Sequence, residues 1–424
     1  MALVRNYINM RAKATPYNKF FYHFVFYLVI NMLEVDVIIV GAGASGLMCA
    51  IEAGKRKRKV LVLDHANKPG KKILMSGGGR CNFTNYTVEA ENFVSENAHF
   101  CKSALSRFTQ WDFLEMIHVQ EIPYHEREHG QLFCNESARD ILDMLLSECD
   151  KVGTDIRLKA DILSVQKYAE SGFVVKTKTQ EITCQSLVIA TGGLSIPKMG
   201  ATPFAYKIAE QFGIKVQTTR AGLVPFTLHV ADKEKFAVLS GLALPATISN
   251  ARQSFTENLL FTHRGLSGPV ALQMSSYWYE GEELTINLLP ELDLQDQLLQ
   301  AQKQKIRLKV KNYLCQFLAK RLVVIFLPEE LLDLSMLDLT HKQIQRIAEQ
   351  FNHWKIKPNG TEGYRTAEVT LGGVDCHAIS SKTLQANQVP GLYFIGEALD
   401  VSGWLGGYNF QWAWASGWCA GQSV

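Results

Sequence analysis

The sequence lacks the cysteine patterns of metal-binding and disulfide-rich proteins. Its nine cysteines are scattered over 424 residues, and none of them forms a CxxC pair. This absence argues against a zinc site, a disulfide framework and a redox-active dithiol. We therefore predict reduced, buried thiols in a cytoplasmic protein with no bound metal. Internal repeats and low-complexity segments are absent as well.

A large net charge and a membrane-spanning apolar run are also missing. The formal net charge of +3 does not by itself indicate a nucleic-acid partner. The apolar run at residues 20–30 has eleven residues, whereas a helix needs about 20 to cross a bilayer. A basic segment precedes this run, as in a signal peptide, but no small-x-small cleavage site follows it. We expect residues 1–31 to be an extension outside the fold, with Met32 as the functional start and no stable membrane association. A membrane-surface anchor is the alternative.

The sequence does have the composition of an ordinary globular protein. Hydrophobic residues make up 47% of it and charged residues 20%. Because 424 residues exceed what one hydrophobic core usually serves, we expect two or more domains.

The strongest positive signal is a glycine motif between two predicted strands. Residues 35–40 form a short apolar run that predicts a buried parallel strand, and a GxGxxG motif follows at 41–46. Residues 47–53 predict a helix, and residues 59–63 predict a second strand that ends in Asp64. This order is the βαβ context that a dinucleotide-binding fingerprint requires.

Each glycine of the motif has a predicted role. Gly41 permits a tight turn, Gly43 lets the backbone approach a pyrophosphate, and Gly46 lets helix and strand pack closely. Asp64 can accept a hydrogen bond from an adenosine ribose, and its charge would repel the 2′-phosphate of NADP. The alternative is a glycine-rich turn that only packs the helix on the sheet.

The rest of the chain predicts one α/β domain that is interrupted by an insertion. Residues 202–289 contain short β-like runs with turns between them, which favours an antiparallel barrel or sandwich. The other predicted strands are 156–167, 172–179, 187–190 and 392–395, and the predicted helical segments are 104–119, 138–151, 293–354 and 411–419. The predicted organisation is an extension at 1–31, a dinucleotide domain at 32–200 and 359–424, an inserted β-barrel at 201–290 and a helical subdomain at 291–358.

A second strand-to-glycine element lies late in the chain and is typical of FAD proteins. The strand that ends at Gly396-Glu397 would bring backbone and a carboxylate to the ribityl-pyrophosphate part of the cofactor. The helix after residues 405–409 would direct its N-terminus at the flavin ring and stabilise negative charge on it. An ordinary strand–turn–helix is the alternative.

The loop at residues 76–82, with three consecutive glycines, is a third candidate for the cofactor site. Arg80 could pair with a phosphate, and Asn82 could contact the flavin edge. Cys81 is either a reactive thiol or a buried spectator, and a flexible surface turn is the alternative for the whole loop.

Two further residues are candidate proton donors. His263 lies in the stretch FTHRGLSGP and changes its charge near neutral pH. Tyr408 lies where the last helix begins. A structural role is the alternative for both.

Two basic segments could contact nucleic-acid phosphates. They are Lys55–Lys59 and residues 303–321. The alternative is that both are solvated surface.

Together these stretches resemble the BaiN/RdsA-type, or aminoacetone-oxidase-like, FAD-binding flavoproteins from about residue 35 to residue 421. The motifs that carry the resemblance are VGAGASGLMCA, KKILMSGGGRCNFTN, ATGGLSIPKMG, LLFTHRGLSGP, AEVTLGGV and LYFIGEALDVSGWLGGYNFQWAWASG. The resemblance implies a Rossmann-like FAD domain of the two-dinucleotide-binding-domain type, with an inserted β-barrel and a small helical subdomain. Cys134 departs from the pattern, because the family tends to have proline there.

The resemblance also implies a set of FAD contacts. They are Ala44, Ser45, Asp64, Lys72, Ser76, Gly77, Arg80, Thr191, Gly192, Gly193, Glu397, Asp400, Gly407, Tyr408 and Asn409. The predicted cofactor site further includes Gly41, Gly43, Gly46, Gly79, Asn82, Ile162, Gly396 and Gly406.

The function that the resemblance implies is an FAD-dependent oxidoreductase. We expect hydride to pass from NAD(P)H through flavin N5 to an electron-poor C=C bond, which in one branch of the family belongs to a uridine of ribosomal RNA. A flavin amine oxidase that releases hydrogen peroxide is one alternative, and an RNA-binding protein with a structural flavin is another. The chain has no second GxGxxG motif. NAD(P)H would therefore dock only transiently over the flavin.

Overall fold

The computed structural model describes residues 33–168 and 172–424. The predicted extension at residues 1–31 lies outside the described residues. Within them, no helix combines the length and apolar character that crossing a membrane requires. All nine cysteines are unpaired, and every one except Cys315 is buried, in agreement with the prediction.

The described chain alternates between short strands and helices. The strands are β1 Leu33–Val40, β2 Val60–Leu63, β3 Asn82–Asn85, β4 Phe93–Val94, β5 Tyr124–Glu126, β6 Gln131–Cys134, β7 Asp155–Arg157, β8 Ile162–Lys167, β9 Phe173–Thr177, β10 Glu181–Ile189, β11 Val216–Gly222, β12 Phe226–Thr227, β13 Ala243–Ser249, β14 Ser254–Phe261, β15 Gly265–Ser267, β16 Leu284–Asn287, β17 Trp354–Ile356, β18 Gly360–Thr361, β19 Val369–Val374, β20 Leu392–Phe394 and β21 Ser402–Gly403. The α-helices are α1 Ala44–Lys55, α2 Lys71–Met75, α3 Lys102–Arg107, α4 Gln110–Val119, α5 Ala138–Lys151, α6 Phe204–Gln211, α7 Val230–Phe236, α8 Pro269–Ser275, α9 Leu294–Lys303, α10 Val310–Leu314, α11 Lys320–Phe326, α12 Glu329–Leu332, α13 His341–Asn352 and α14 Tyr408–Gly421.

The central sheet has the strand order β7-β2-β1-β10-β9-β8, with β20 paired to the second half of β10. The pairs among β7, β2, β1, β10 and β20 are parallel, and the β8–β9–β10 meander is antiparallel. Val40 lies opposite both Leu63 and Ile189, and Ile189 lies opposite Phe394. The carboxyl ends of four parallel strands are therefore level, which is where open α/β sheets bind ligands.

The last helix of the chain closes this domain by packing on the first. A Cβ atom at Gly417 would lie 2.4 Å from the Ser45 carbonyl oxygen, so only glycine permits this approach of α14 to α1. On its other side α14 stacks Trp414 on Phe113 of α4, with ring centroids 4.5 Å apart. The predicted α/β domain is thus built from both ends of the chain.

The insertion is a seven-stranded antiparallel sheet of order β17-β16-β13-β14-β15-β12-β18, covered by helices. Its two edge strands, β17 and β18, are separated in sequence by residues 357–359 alone. So short a connection holds the edges close together, and the sheet must curl as a barrel does. Phe236, Phe326 and Trp354 pack within this core with ring centroids 4.8–5.4 Å apart.

The hydrophobic cores correct the predicted domain boundaries. Ala205 and Ile208 of α6 belong to the core of the first domain, so the boundary predicted after residue 200 lies too early. Strands β17 and β18 complete the inserted sheet, and the boundary predicted after residue 358 therefore cuts through it. The two domains are connected by the antiparallel pair β11–β19.

The long predicted helices are also divided. The helix predicted at 104–119 is two helices, because Thr109 begins a new one: its Oγ1 accepts from the Asp112 N–H in a capping box. The helical segment predicted at 293–354 contains five α-helices. The last of them ends at Asn352, and β17 begins at Trp354.

Candidate active site

A cavity of about 1030 Å³ opens at the level carboxyl ends of the parallel strands. Glycine turns and the N-termini of α1 and α14 form much of its wall, and the insertion contributes Leu223 and Pro269. The volume is at the upper end of the roughly 300–1,000 Å³ of small-molecule and cofactor sites. The cavity therefore has room for a ligand as large as a dinucleotide.

The three motif glycines have different surroundings. Gly41 has φ +114°, and a Cβ atom there would lie 2.4 Å from the Ala190 carbonyl oxygen. A Cβ atom at Gly46 would lie 2.0 Å from the Gly41 carbonyl oxygen, so this glycine fixes helix α1 against the turn. Gly43 lines the cavity, and no heavy atom of the described residues lies within 4 Å of a Cβ placed there. Gly41 and Gly46 thus act through packing, and Gly43 leaves space for a ligand.

Asp64 lies at one end of the cavity in a fixed orientation. Its two carboxylate oxygens accept hydrogen bonds from the backbone N–H groups of Ala42 and Ala66, each at 2.7 Å. The side chain is 15% exposed, and Ile162 lines the cavity at the same end. The carboxylate keeps lone pairs for a ribose hydroxyl, as the prediction requires.

A polar network in the wall of the cavity joins four segments of the chain. Lys72 Nζ donates to Glu397 Oε2 and, at 2.7 Å, to Ser195 Oγ. Glu397 Oε1 in turn accepts from Ser195 Oγ at 2.8 Å and from the Thr370 N–H at 2.9 Å. The carboxylate of Glu397 is thereby held at the cavity wall, with its charge balanced by Lys72.

One buried polar atom in the wall lacks a partner. Thr191 lines the cavity, and its Oγ1 has no hydrogen-bond partner among the described residues. Next to it, Gly192 has φ +70° and lines the cavity too. A buried hydroxyl without a partner costs free energy, so a polar ligand atom at this position would stabilise the site. This observation and the free space at Gly43 fit a bound dinucleotide.

The N-terminus of α14 forms the opposite wall through two glycines and an asparagine. Gly406 and Gly407 have φ of +120° and +95°, and a Cβ at Gly407 would lie 2.3 Å from the Thr84 carbonyl oxygen. Asn409 folds the preceding turn: its Oδ1 accepts from the Gly403 N–H and its Nδ2 donates to the Gly403 carbonyl, both at 2.8 Å. The helix N-terminus is thus held facing the cavity.

Comparison with known proteins assigns this site to a family. A family model described as the HI0933-like protein Rossmann domain matches residues 35–423. A ribosomal RNA dihydrouridine synthase of Escherichia coli (strain K12) is 53% identical over 395 residues, which are 93% of this chain and 98% of that protein. The chain belongs to the HI0933-like Rossmann family.

Two further relatives span equally much of the chain. A ribosomal RNA dihydrouridine synthase of Haemophilus influenzae is 49% identical over 392 residues, 91% of this chain and 98% of that protein. A 3-dehydro-bile acid delta(4,6)-reductase of Clostridium scindens is 29% identical over 421 residues, again 91% of this chain and 98% of that protein. The HI0933-like chain described here is accordingly an enzyme, an FAD-dependent oxidoreductase, and the predictions of family, fold class, enzyme class and FAD are confirmed. NAD(P)H as the electron donor stays a prediction.

Most predicted cofactor residues of this flavoenzyme line the one cavity. They are Gly41, Gly43, Ala44, Ser45, Asp64, Lys72, Ser76, Gly77, Asn82, Ile162, Thr191, Gly192, Gly193, Glu397, Gly406, Gly407 and Asn409. Their individual contacts to FAD remain predictions.

Several other predicted cofactor residues do not reach the cavity. Gly79 and Arg80 lie beyond its lining, and Arg80 is exposed to solvent. Asp400 is buried outside the cavity and accepts from the Glu96 N–H at 2.9 Å, and burial raises the pKa of its carboxyl. Gly396 is buried and bonds to α14, where its N–H donates to Ser416 Oγ at 3.0 Å. Asp400 and Gly396 therefore bond to neighbouring segments outside the cavity lining.

The three predicted catalytic residues also lie outside the cavity lining. Cys81 is fully buried, and burial raises the pKa of its thiol, which favours the spectator of the two alternatives. Tyr408 is 7% exposed, with its ring edge-on to Phe93 and Trp404, and burial raises its pKa as well. His263 is exposed in the turn between β14 and β15.

The unusual sequence around His263 has a packing explanation. A Cβ atom at Gly265 would lie 2.2 Å from the Phe226 carbonyl oxygen, and one at Gly268 would lie 2.5 Å from that of Asn258. The stretch is therefore distinctive because two glycines let strands approach closely, and the histidine that precedes them does not line the cavity.

Sequence reasoning missed Glu368, which lines the cavity at the start of β19. It lies in the motif AEVTLGGV, but a single glutamate before an apolar strand gives no local signal of a site. It also missed Ser195 and Thr370, because the network with Glu397 joins residues that are far apart in sequence.

Proposed function

We propose that this enzyme reduces the C5=C6 bond of a uridine in ribosomal RNA to give dihydrouridine, with NAD(P)H as the electron donor. The observation that carries the proposal is the match of 53% identity across 98% of the Escherichia coli ribosomal RNA dihydrouridine synthase. The cavity between the FAD domain and the insertion supports it, because it has room for a planar substrate beside a bound dinucleotide. A cytoplasmic location, where RNA and NAD(P)H meet, is part of the proposal.

The residues that would hold FAD follow from the site geometry. Asp64 would accept from the adenosine ribose, Gly43 and the N-terminus of α1 would face the pyrophosphate, and Thr191 Oγ1 would gain its missing partner. Bound FAD supplies a hydride acceptor and donor at N5. Glu397, fixed by Lys72 and by the Thr370 N–H, would accept from polyol hydroxyls.

The substrate end of the cavity would lie at the domain junction. Leu223, Pro269 and Trp404 line it there, and Trp404 is anchored by its Nε1–H to Tyr277 OH of the insertion at 2.7 Å. Leu405 is anchored in the same way, through its N–H to Gln273 Oε1 at 2.9 Å. These contacts make a mainly apolar wall that excludes water from the reacting atoms.

The segment 303–321 is the better candidate for RNA contact. It has seven basic residues and no acidic one, and Lys303, Lys305 and Lys320 are exposed, with no carboxylate partner among the described residues. Phe317 belongs to the same segment, and its exposed side chain offers a stacking surface.

The basic segment Lys55–Lys59 is used differently. Arg56 Nη1 and Arg58 Nε donate to the carbonyl oxygen of Val424 at 2.7 and 3.0 Å, and Lys55 pairs with Glu52 at 2.8 Å. This segment also joins α1 to β2, at the end of the sheet opposite the cavity. Its charges therefore hold the chain terminus, which does not favour the predicted RNA contact.

Mass spectrometry of ribosomal RNA nucleosides from a deletion strain tests the function. We expect one dihydrouridine to revert to uridine, and wild-type protein, but not Gly43→Val, to restore it. Rapid mixing of the purified enzyme separates the alternatives. Flavin bleaching by NAD(P)H supports the reductase. Bleaching by small amines with peroxide release would instead establish the oxidase, and inertness to both with salt-sensitive RNA binding would establish a structural flavin.

A further inference from the structure

The cavity contains four carboxylates among the described residues, and three of them are engaged. Asp64 accepts two backbone N–H groups, and Glu397 is held by Lys72, Ser195 and Thr370. Asp161 pairs with Lys178 at the exposed rim. Glu368 is the fourth, and its carboxyl has no hydrogen bond or ion pair among the described residues.

The backbone places Glu368 at the junction of the two domains. Its N–H donates to the Leu223 carbonyl oxygen at 3.2 Å, and Leu223 itself lines the cavity. Two residues later, Thr370 supplies the N–H that fixes Glu397. Glu368 therefore lies between the polar network that would hold the cofactor and the apolar wall contributed by the insertion.

The surroundings of Glu368 favour its protonated form. The Glu368 side chain lines the cavity and is exposed there rather than buried in a core. Desolvation by the surrounding protein atoms nevertheless raises the pKa of its carboxyl. Lys72 acts in the opposite direction but more weakly. A raised pKa makes the protonated form of a carboxyl easier to reach, and that form can act as a general acid.

We propose that Glu368 is the general acid that protonates the substrate carbon next to the carbonyl group, an inference that rests on the proposed function. The hydride forms the new C6–H bond and breaks the C5=C6 π bond, and the electron pair moves to C5 and the conjugated C4 carbonyl. The O–H bond of Glu368 then breaks as the C5–H bond forms. The carboxylate recovers its proton from water, and NAD(P)H replaces the two electrons.

The test times the two half-reactions of Glu368→Gln by flavin absorbance. Glutamine keeps the shape of the side chain but has no acidic proton. We expect FAD content and the rate of flavin reduction by NAD(P)H to stay within about twofold of wild type, because that step needs no substrate proton. Reoxidation by an unmodified ribosomal RNA transcript should slow by about 10² to 10⁴, which is the usual loss for a positioned acid.

The pH profile gives a second readout. Wild-type reoxidation should slow as the pH rises through the raised pKa of Glu368, since the acid form is then lost, whereas Glu368→Gln should show no such decline. Glu368→Asp should retain the decline at a reduced rate. Glu210→Gln, an exposed carboxylate outside the cavity lining, is the matched control and should behave like wild type.

The outcomes separate this inference from the proposed function. If wild-type enzyme forms dihydrouridine and Glu368→Gln reoxidises at the wild-type rate with an unchanged pH profile, Glu368 is not the acid. If wild-type flavin is reduced by NAD(P)H but RNA never reoxidises it, the proposed function fails first. If Glu368→Gln loses FAD, its half-reactions cannot be timed, and the pH profile of Glu368→Asp is used instead. A decline of the reoxidation rate with rising pH in Glu368→Asp supports Glu368 as the acid, and the absence of this decline contradicts it.

Discussion

Lys55–Lys59 in the FAD domain and residues 303–321 in the insertion have similar basic composition but different surroundings. In the first segment, Arg56 and Arg58 are bonded to the carbonyl oxygen of Val424. In the second, Lys309 and Lys311 share Asp333, while other cations face solvent. Composition alone left nucleic-acid contact and solvated surface open for both. The difference teaches that a residue is available to a ligand only where the protein has not already provided its partner.

The same contrast separates residues of one type within the cavity. Gly46 is pressed against backbone, whereas Gly43 faces free space. Glu397 is held by three groups, whereas the Glu368 carboxyl has no partner among the described residues. We therefore expect substitutions of engaged residues to change stability and substitutions of unengaged residues to change ligand binding or catalysis.

The largest effects should come from substitutions of Gly46 and Gly43. Gly46→Ala places a methyl group 2.0 Å from the Gly41 carbonyl oxygen, where no rotamer can relieve the clash, and we expect a loss of about 3 kcal/mol or more in the free energy of unfolding. Gly43→Val has room and an extended backbone, so the apoprotein should stay within about 1 kcal/mol of wild type. Its FAD affinity should fall by at least about 100-fold, because the valine fills the space for the pyrophosphate.

Thermal unfolding of both apoproteins and titration with FAD measure these effects. Wild-type FAD affinity in Gly43→Val would contradict the assignment of the cavity as the FAD site. An unchanged melting temperature in Gly46→Ala would contradict the packing role.

The next effect concerns the arginines that hold the chain terminus. Arg56→Ala with Arg58→Ala removes charge-assisted hydrogen bonds to Val424, which we expect to cost about 1–3 kcal/mol in urea unfolding. RNA affinity should be unchanged. Lys57→Gln, an exposed neighbour without an ion pair among the described residues, is the control and should stay within about 0.5 kcal/mol. If the Arg56→Ala, Arg58→Ala variant bound RNA more weakly but kept its stability, Lys55–Lys59 would contact RNA and would not serve to hold Val424.

The parts of the site that are formed by residues close together in the chain could be predicted from the sequence. The strand, glycine turn and helix at 35–53 follow from periodicity and from glycines whose roles act within a few residues. The network of Lys72, Glu397 and Thr370 was not predictable, because it joins positions more than 300 residues apart through the folded sheet. The stretch around His263 gave rise to a catalytic prediction because glycines that let strands pack look, in sequence, like glycines that frame a site.

A smaller effect is expected for the unpaired cations of the insertion. Lys303→Gln, Lys305→Gln and Lys320→Gln together should weaken RNA binding by about tenfold at physiological salt and reduce the slope of log K against log [salt] by about 2, as expected when two to three phosphate contacts are lost. Stability should not change, since these side chains face solvent. A triple variant of three exposed lysines of the FAD domain, Lys57→Gln, Lys102→Gln and Lys382→Gln, is the control. Equal losses in both variants would show that RNA responds to net charge rather than to this surface.

The smallest effect should follow His263→Ala, and it tests whether a distinctive motif marks chemistry or packing. The imidazole is exposed in the β14–β15 turn and does not line the cavity, so reoxidation of the reduced flavin by RNA should stay within about twofold of wild type. Gly265→Ala, in the same motif, should instead destabilise the insertion, because the added methyl group would lie 2.2 Å from the Phe226 carbonyl oxygen. Stopped-flow absorbance and thermal unfolding measure the two outcomes. If His263→Ala slowed reoxidation as strongly as Glu368→Gln, the β14–β15 turn would have to reach the substrate in the working enzyme. The insertion would then have to move, and the contacts in this structure alone would not tell which residues are available to a ligand.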